Sequence, residues 1–354
     1  MPKNSLLAEL KSLNQKVDAC ALPKDLKERV LQMLDRLNRI SQTNTYSSEF
    51  DVIENYINWI TEIPWDRKTK DNLDLKNAKG VLDKNHYGLE QVKERVLEYL
   101  AVENLKIINK DKVASYEKAP VLCLVGLQGL GKTTLASSIA EALGRKFVRI
   151  SLGALGSILE LRGKSKSLPA AEPGQIIKAL VRTKVGNPLI LLDEMDKVSG
   201  EQGLRSDMMA ALLEILDPEQ NTSFVDHYVD YPIDLSNVLF ISSANNIGTF
   251  SAALMDRLEI IRMPSYSDKE KEIIARDYLL SKIMRTSGIL PEQLKIKEEV
   301  WPKLIRPLGY DSGIRSLQRI LESVCRKSAK IIIEQGERVV VVDETNFKSF
   351  LPIL

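Results

Sequence analysis

One short stretch near the middle of the chain, LCLVGLQGLGKTT at 122–134, constrains the fold more than any other. The apolar run Val121–Val125 predicts a buried strand, and the Ala-rich pattern Leu135–Leu143 predicts a helix. A glycine-rich turn between a strand and a helix directs backbone N–H groups and the positive end of the helix toward one point. The stretch therefore predicts a phosphate-binding loop, which is a site for a nucleotide.

The residues of this loop predict particular contacts. Lys132 is placed to reach the β- and γ-phosphates, and the Thr133 hydroxyl is placed to bind Mg²⁺. The expected nucleotide-binding residues are Gly126, Leu127, Gln128, Gly129, Leu130, Gly131, Lys132, Thr133 and Thr134. A glycine-rich turn that matches by coincidence is the alternative, and the flanking strand and helix argue against it.

A second group of polar residues follows two other apolar runs. Asp193 and Glu194 follow PLILL at 188–192, and Asn245 follows NVLFISSA at 237–244. Because parallel strands end at one edge of a sheet, these side chains are expected to face the same nucleotide. Asp193 would hold Mg²⁺ through water, and Glu194 would orient and activate an attacking water. An acidic pair at a solvated strand end is the alternative.

The remaining pattern predicts an α/β protein. Helices are expected at 5–41 with a break at Pro23, and at 51–63, 75–83 and 90–108. Strands at 146–151, 188–193, 237–243 and 260–263 alternate with helices at 158–162, 175–184, 207–216 and 251–258. The last part is expected to be helical at 268–286, 297–308, 312–335 and 343–350, with one short strand at 339–342. Such alternation predicts a parallel sheet sandwiched by helices.

The composition limits the binding partners and the cellular compartment that are expected for this chain. The chain has 354 residues, with 44% apolar and 28% charged residues, which is typical of globular proteins of two or three domains. Because 50 basic residues balance 48 acidic ones, nucleic acid is not an expected partner. Three scattered cysteines and two histidines give no metal-ligand spacing and favour a reducing compartment. With no signal peptide and no apolar run of membrane-spanning length, we expect a cytoplasmic protein.

Longer stretches carry a resemblance to a known family. The segment LLDEMDK at 191–197, together with the phosphate loop, Asn245 and MDR at 255–257, resembles AAA+ ATPases. Four further stretches resemble the ATPase part of Lon-type proteases. They are HYGLEQVKERVLEYLAV at 86–102, LLEILDPEQN at 212–221, FVDHYVDYPIDLS at 224–236 and DSGIRSLQR at 311–319. The resemblance runs from about residue 5 to the end and includes NYINWITEIPW. It implies an N-terminal helical segment at 1–66, a linker and short helix at 67–84, an AAA+ α/β domain at 85–264 and an α-helical lid at 265–354.

The resemblance also implies roles for particular residues. Tyr87, Gly88 and Leu89 would line the adenine pocket. Arg257 would be an arginine finger for the nucleotide of a neighbouring subunit, and Arg315 would read the γ-phosphate of its own subunit. For both arginines, a surface ion pair is the alternative. An arginine that acts on a neighbour requires a ring, and the family implies a homo-hexamer that uses Mg-ATP hydrolysis to unfold and translocate protein substrates.

The chain departs from the family pattern at three places. It stops at Leu354, where the family continues into a protease domain with a Ser–Lys dyad, so this chain is expected not to cleave peptide bonds alone. It would be either a fragment, acting with a protease domain in the longer protein, or a protease-free relative. In the phosphate loop, Leu127 and Gln128 stand where the family has two prolines, and ATP binding is expected to survive this change.

The third departure lies in the loop that grips substrate in the family. The family has an aromatic residue, a hydrophobic residue and a glycine there, and this chain has Leu168, Pro169 and Ala170. The three residues include no aromatic ring, and Pro169 restricts the backbone. Lys164 and Lys166 before them are expected to lie in a solvated loop, and a contact with an acidic group is the alternative. A nucleotide-dependent scaffold that translocates nothing is therefore the alternative function.

Overall fold

The computed structural model describes residues 3–42, 48–109, 120–198, 202–306, 313–336 and 338–352. The strands are β1 (Val121–Val125), β2 (Phe147–Ser151), β3 (Leu189–Asp193), β4 (Phe224–Val225), β5 (Pro232–Ile233), β6 (Leu239–Ala244), β7 (Leu258–Arg262), β8 (Leu294–Ile296) and β9 (Val340–Val342). The helices are α1 (Lys3–Ala19), α2 (Lys24–Gln42), α3 (Ser48–Glu62), α4 (Leu75–Asn85), α5 (Glu90–Ile108), α6 (Lys132–Leu143), α7 (Ile158–Arg162), α8 (Gln175–Thr183), α9 (Gln202–Leu216), α10 (Ala252–Met255), α11 (Asp268–Ile273), α12 (Ser281–Thr286), α13 (Trp301–Ile305), α14 (Arg315–Gln335) and α15 (Phe347–Phe350).

A five-stranded sheet of order β2-β3-β6-β1-β7 forms the centre of the α/β fold. β2 and β3 are parallel with Ser151 opposite Asp193, and β3 and β6 are parallel with Leu192 opposite Ser242. Every residue of β3 is buried, as expected for a parallel strand covered on both faces. The predicted α/β fold with a parallel sheet is therefore confirmed.

The described residues form two compact units. The first contains those of Met1–Leu73, Val102–Cys123 and Ala140–Glu259, and the second those of Asp74–Ala101, Leu124–Ile139 and Ile260–Leu354. The first unit therefore holds the N-terminal helices and most of the sheet, whereas the second holds the phosphate loop and the C-terminal helices.

Within the first unit, α3 packs on the segment 224–236. Val30, Leu34 and Leu37 of α2 are buried, as the periodicity predicts. The Tyr56 hydroxyl of α3 donates a hydrogen bond to the backbone oxygen of Val229 at 2.9 Å. α3 is therefore attached to the segment that contains β4 and β5, a short antiparallel pair that the pattern did not predict.

Within the second unit, the C-terminal region differs from the prediction. Of the helix predicted at 297–308, the described residues form α13 after a 3₁₀ turn at Glu298–Val300, and Pro302 stands in the first turn of α13. Residues 307 and 308 lie outside the described residues. β8 was not predicted, and it pairs in parallel with β9 through Leu294 and Val340. A π-helical segment, Ile274–Leu280, separates α11 from α12 in the helix predicted at 268–286.

Candidate nucleotide-binding site

The loop between β1 and α6 has a backbone shape that depends on glycine. Gly129 and Gly131 have φ values of +81° and +88°, which residues with a side chain rarely adopt. A Cβ atom on Gly126 would lie 3.0 Å from the backbone oxygen of Met263, so the chain packs closely there as well. Such turns direct successive N–H groups inward, which is the arrangement that binds phosphate.

Lys132 begins α6 and lies within this loop. Its ammonium group donates to the backbone oxygen of Gly126 at 2.5 Å and to that of Leu127 at 3.0 Å. The side chain is only 8% exposed. The loop therefore holds a cation at the position where the sequence predicts a contact with the phosphates, and Thr133, the predicted Mg²⁺ ligand, follows it on α6.

The predicted adenine segment lies between α4 and α5. Gly88 and Leu89 have φ values of +63° and +58°, so the backbone turns sharply there. The Tyr87 ring lies 6.4 Å from the Tyr278 ring, measured between centroids. The sequence alone gave no reason to expect this aromatic neighbour.

The segment is tied to the phosphate loop's helix through a histidine that the sequence analysis did not assign. His86 Nε2 lies 2.9 Å from the Ser138 hydroxyl of α6, and the ring also bonds to the backbone of Thr134. Burial, assisted by the nearby Lys93 ammonium group, lowers the pKa of His86 to about 4. His86 is therefore a neutral hydrogen-bonding group at neutral pH.

Arg315 begins α14 directly beside the phosphate loop. The N–H of Ile314 donates to the backbone oxygen of Gly129 at 3.0 Å. A Cβ atom on Gly129 would lie 3.2 Å from Cβ of Arg315, and one on Gly313 would lie 2.5 Å from the backbone oxygen of Gln128. The structure thus brings Arg315 to the loop, with its side chain exposed.

The acidic pair lies in the first unit, where β3 ends. Asp193 is 4% exposed, and its carboxylate accepts hydrogen bonds from the Ser243 hydroxyl and from Arg149 Nε, the latter at 2.5 Å. Glu194 has a φ of +60°, and its N–H donates to the Ser243 hydroxyl at 3.1 Å. The Lys197 ammonium group lies 2.8 Å from the Glu194 carboxylate.

Ser243 therefore joins both members of the acidic pair. The sequence analysis missed it, although two serines in the otherwise apolar run of β6 were a usable signal. Asn245 follows β6 and is half-buried, and the N–H of its neighbour Asn246 donates to Asp196 at 3.3 Å. The structure thus brings the strand end at Asn245 to the acidic pair, as the parallel arrangement of β3 and β6 predicts.

Arg257 follows α10 and pairs with an acidic residue of its own chain. Its guanidinium group donates to Asp217 at 2.9 Å, and its side chain is 45% exposed whereas that of Asp217 is 10% exposed. The ion pair that was the alternative to an arginine finger is therefore observed. Because a guanidinium group has five N–H donors, this pair leaves Arg257 able to donate further hydrogen bonds.

In the predicted substrate-gripping loop, the alternative for Lys166, a contact with an acidic group, is observed. Its ammonium group lies 3.6 Å from Asp230 and 4.7 Å from the centroid of the Tyr56 ring. Leu168 is 51% exposed, and Ala170 has a φ of +51°. The loop's tip therefore presents an apolar side chain, and its basic residue is attached to the N-terminal helices.

Two family models match the chain. The model described as "ATPase family associated with various cellular activities (AAA)" matches residues 122–266, which contain the phosphate loop, the acidic pair, Asn245 and Arg257. Residues 122–266 therefore form an AAA-type domain. A second model, described as "Lon protease AAA+ ATPase lid domain", matches residues 285–340 and so contains Arg315.

Curated relatives narrow the family further. The chain is 43% identical to Lon protease 1 of Bacillus subtilis over 99% of its own length and 43% of that protein. It is 42% identical to the Lon protease of Nitratidesulfovibrio vulgaris over 98% of its own length and 41% of the relative, and 42% identical to Lon protease 2 of Thermus thermophilus over 97% and 42%. The chain belongs to the Lon family, as a Lon-type AAA+ ATPase module with a Lon lid domain. It spans less than half the length of these relatives, and among the described helices none has the length and apolar character that crossing a membrane requires.

Proposed function

We propose that this chain binds and hydrolyses Mg-ATP and uses the energy to unfold and translocate protein substrates. The observation that carries the proposal is the phosphate loop itself, with two glycines at positive φ and a buried lysine ammonium group inside it. The acidic pair supplies the second requirement, because a carboxylate beside the γ-phosphate can orient an attacking water. Family membership supports assigning both groups to one nucleotide.

The donor set fits the proposed substrate. Backbone N–H groups and the Lys132 ammonium group suit phosphate oxygens. The Thr133 hydroxyl would bind Mg²⁺, which prefers oxygen ligands, and the Asp193 carboxylate would hold it through water. Bound Mg²⁺ would neutralise the phosphate charge that develops during transfer. Ser243 and Arg149 would hold Asp193 in place, and Glu194 would act as the base.

The proposal extends to the adenine segment, the arginines and the assembly. Tyr87, Gly88 and Leu89 would hold the base, and Asn245 would orient the attacking water. Arg315 would read the γ-phosphate of its own subunit, supported by the contact between its helix start and the loop. Arg257 would act in a neighbouring subunit of a homo-hexameric ring, with Asp217 orienting its guanidinium group. The four-part domain division and a cytoplasmic location are proposed with it, as are unfolded proteins as partners.

The test is the Glu194→Gln variant, which keeps the side-chain shape and removes the base. ATP affinity should change less than about twofold, whereas turnover should fall by about 10²-fold or more, the usual contribution of a general base. Affinity is measured with a fluorescent nucleotide and turnover by phosphate release. Glu98→Gln, the same change on an exposed residue of α5, is the control. Undiminished turnover in Glu194→Gln would remove Glu194 from this role.

One observation favours a second candidate, a nucleotide-dependent scaffold. The tip of the gripping loop carries Leu168, Pro169 and Ala170 and so lacks the ring that accommodates any passing side chain. The Leu168→Tyr variant separates the two candidates. A gain in ATP turnover on addition of unfolded protein supports translocation, and no response to unfolded protein in either form supports the scaffold.

A further inference from the structure

The substrate loop comprises residues 164–172, and its two ends lie next to each other. The N–H of Lys164 donates to the backbone oxygen of Glu172 at 3.0 Å, which joins the two ends. Inside the loop, the N–H of Leu168 donates to the backbone oxygen of Ser165 at 2.9 Å. The direction in which the tip points therefore depends on how the two ends are held.

A buried carboxylate lies at this closure. Asp226 is fully buried, and one of its oxygens accepts the N–H of Gly174 at 2.7 Å. The other oxygen accepts the N–H groups of Tyr228 at 2.8 Å and Val229 at 3.1 Å. The carboxylate thus connects the end of the loop with the segment on which α3 packs.

The backbone on both sides of the loop approaches at distances that only glycine permits. A Cβ atom on Gly163 would lie 2.6 Å from one Asp226 oxygen and 2.8 Å from the other. A Cβ atom on Gly174 would lie 2.1 Å from the backbone oxygen of Leu161. Gly163 precedes the loop and Gly174 follows it, so its base is shaped around the carboxylate.

The hydrogen-bonding pattern of this carboxylate is specific to the two segments that it joins. Burial raises the pKa of Asp226 above its usual value, although three backbone N–H groups stabilise the charged form. An apolar side chain at this position would leave those three buried N–H groups without an acceptor. The carboxylate therefore holds the backbone at Gly174 in a fixed position relative to that of Tyr228 and Val229.

We infer that Asp226 is a positioning residue that fixes the base of the substrate loop and so aims its tip at an unfolded protein chain. This inference rests on the proposed function. A second contact supports it, because Asp230, in the same segment, holds Lys166 of the loop at 3.6 Å. The segment from Asp226 to Asp230 therefore anchors both the base and one side of the loop.

The experiment uses the Asp226→Asn variant. An amide has one oxygen and one NH₂ group, so in either orientation it faces the N–H of Gly174 or those of Tyr228 and Val229 with a donor. The concentration of unfolded casein that half-maximally stimulates ATP turnover should rise by about fivefold or more. Basal turnover and the KM for ATP should change less than about twofold, a split that general destabilisation does not produce.

A second readout does not depend on translocation. Trypsin should cleave after Lys164 and Lys166 about tenfold faster in Asp226→Asn than in the wild type, because the loop base opens more often. Asp234→Asn is the matched control, since the Asp234 carboxylate also accepts a backbone N–H, that of Ser236 at 2.7 Å, but is exposed. Cleavage is measured well below the melting temperature of each variant, so that opening of the loop and not global unfolding sets the rate.

The outcomes separate the inference from the proposed function. If neither the cleavage rate nor the casein concentration for half-maximal stimulation changes in Asp226→Asn, the inference is overturned. The ATPase proposal still stands in that case, provided that ATP is hydrolysed without casein. If casein stimulates ATP turnover in neither the wild type nor Asp226→Asn, the proposal of translocation is refuted. The trypsin cleavage rates alone then decide the inference. If the variant does not fold, hydrogen exchange of the wild type decides the inference. The Gly174 and Val229 amides should exchange far more slowly than those of Ser165, Lys166 and Ser167, and equal rates contradict the inference.

Discussion

Acidification is expected to destabilise the unit that holds the phosphate loop, through His86. The imidazole ring is 7% exposed, bonds to Ser138 on α6, and has a pKa lowered from 6.5 to about 4. Protonation of the folded protein would place a charge in a buried position beside the Lys93 ammonium group. The unfolded chain takes up the same proton without this cost.

The magnitude follows from the two pKa values. Because the folded pKa is lowered, stability is fully present above pH 6.5 and is lost as the pH falls toward 4. At pH 5 the loss is about 2 kcal/mol relative to pH 7.5, and it approaches about 3 kcal/mol below pH 4. Such a loss is a large fraction of the stability of an ordinary domain.

The assay compares urea unfolding at pH 7.5 and pH 5 in the wild type and in His86→Gln. Glutamine can still hydrogen-bond to Ser138 but has no proton to gain, so its loss of stability should be smaller by about 2 kcal/mol. Fluorescence of Trp301, buried in the core of the same unit, reports the transition when Trp59 and Trp65 are replaced by Phe. His227→Gln, at an exposed position, is the control. Equal losses in the wild type and His86→Gln would refute the reasoning.

Two further substitutions test packing. Tyr56→Phe removes the hydrogen bond to the buried backbone oxygen of Val229 and should cost about 1–3 kcal/mol of unfolding free energy, measured with urea; an unchanged value contradicts the bond. Gly313→Ala should raise the Kd for a fluorescent nucleotide and cost about 1–3 kcal/mol, because its Cβ atom would meet the backbone oxygen of Gln128 at 2.5 Å. Gly80→Ala is the control, because nothing lies within 4 Å of the added atom. It should neither raise the Kd nor lower the unfolding free energy.

Local signals were sufficient for the fold and for the backbone shape of the phosphate loop. The strand before the phosphate loop and the fully buried β3 are continuous apolar runs, and such runs are decided by residues next to each other in the chain. The glycines of the loop carry their own conformational requirement, which explains why their positive φ values agree with the predicted motif.

The parts that sequence reasoning missed depend on contacts between distant residues. β8 has three residues and exists because β9, more than forty residues later, pairs with it. Ser243 contacts the acidic pair through the register of β3 and β6, which no local pattern encodes. Lys166 contacts Tyr56, which is 110 positions away in the sequence. Because no local pattern links the two residues, the sequence around Lys166 does not predict this contact.

The altered tip and the shaped base of the substrate loop bear on one question, whether this chain grips protein. The change at Leu168 alters what the tip contacts, whereas Gly163, Asp226 and Gly174 determine where the tip lies. A chain that served only as a scaffold would not need a loop whose base is shaped around a buried carboxylate and whose tip presents an apolar side chain. The geometry of the base therefore favours a loop that is still aimed at a ligand, with an apolar side chain of 51% exposure in place of a ring.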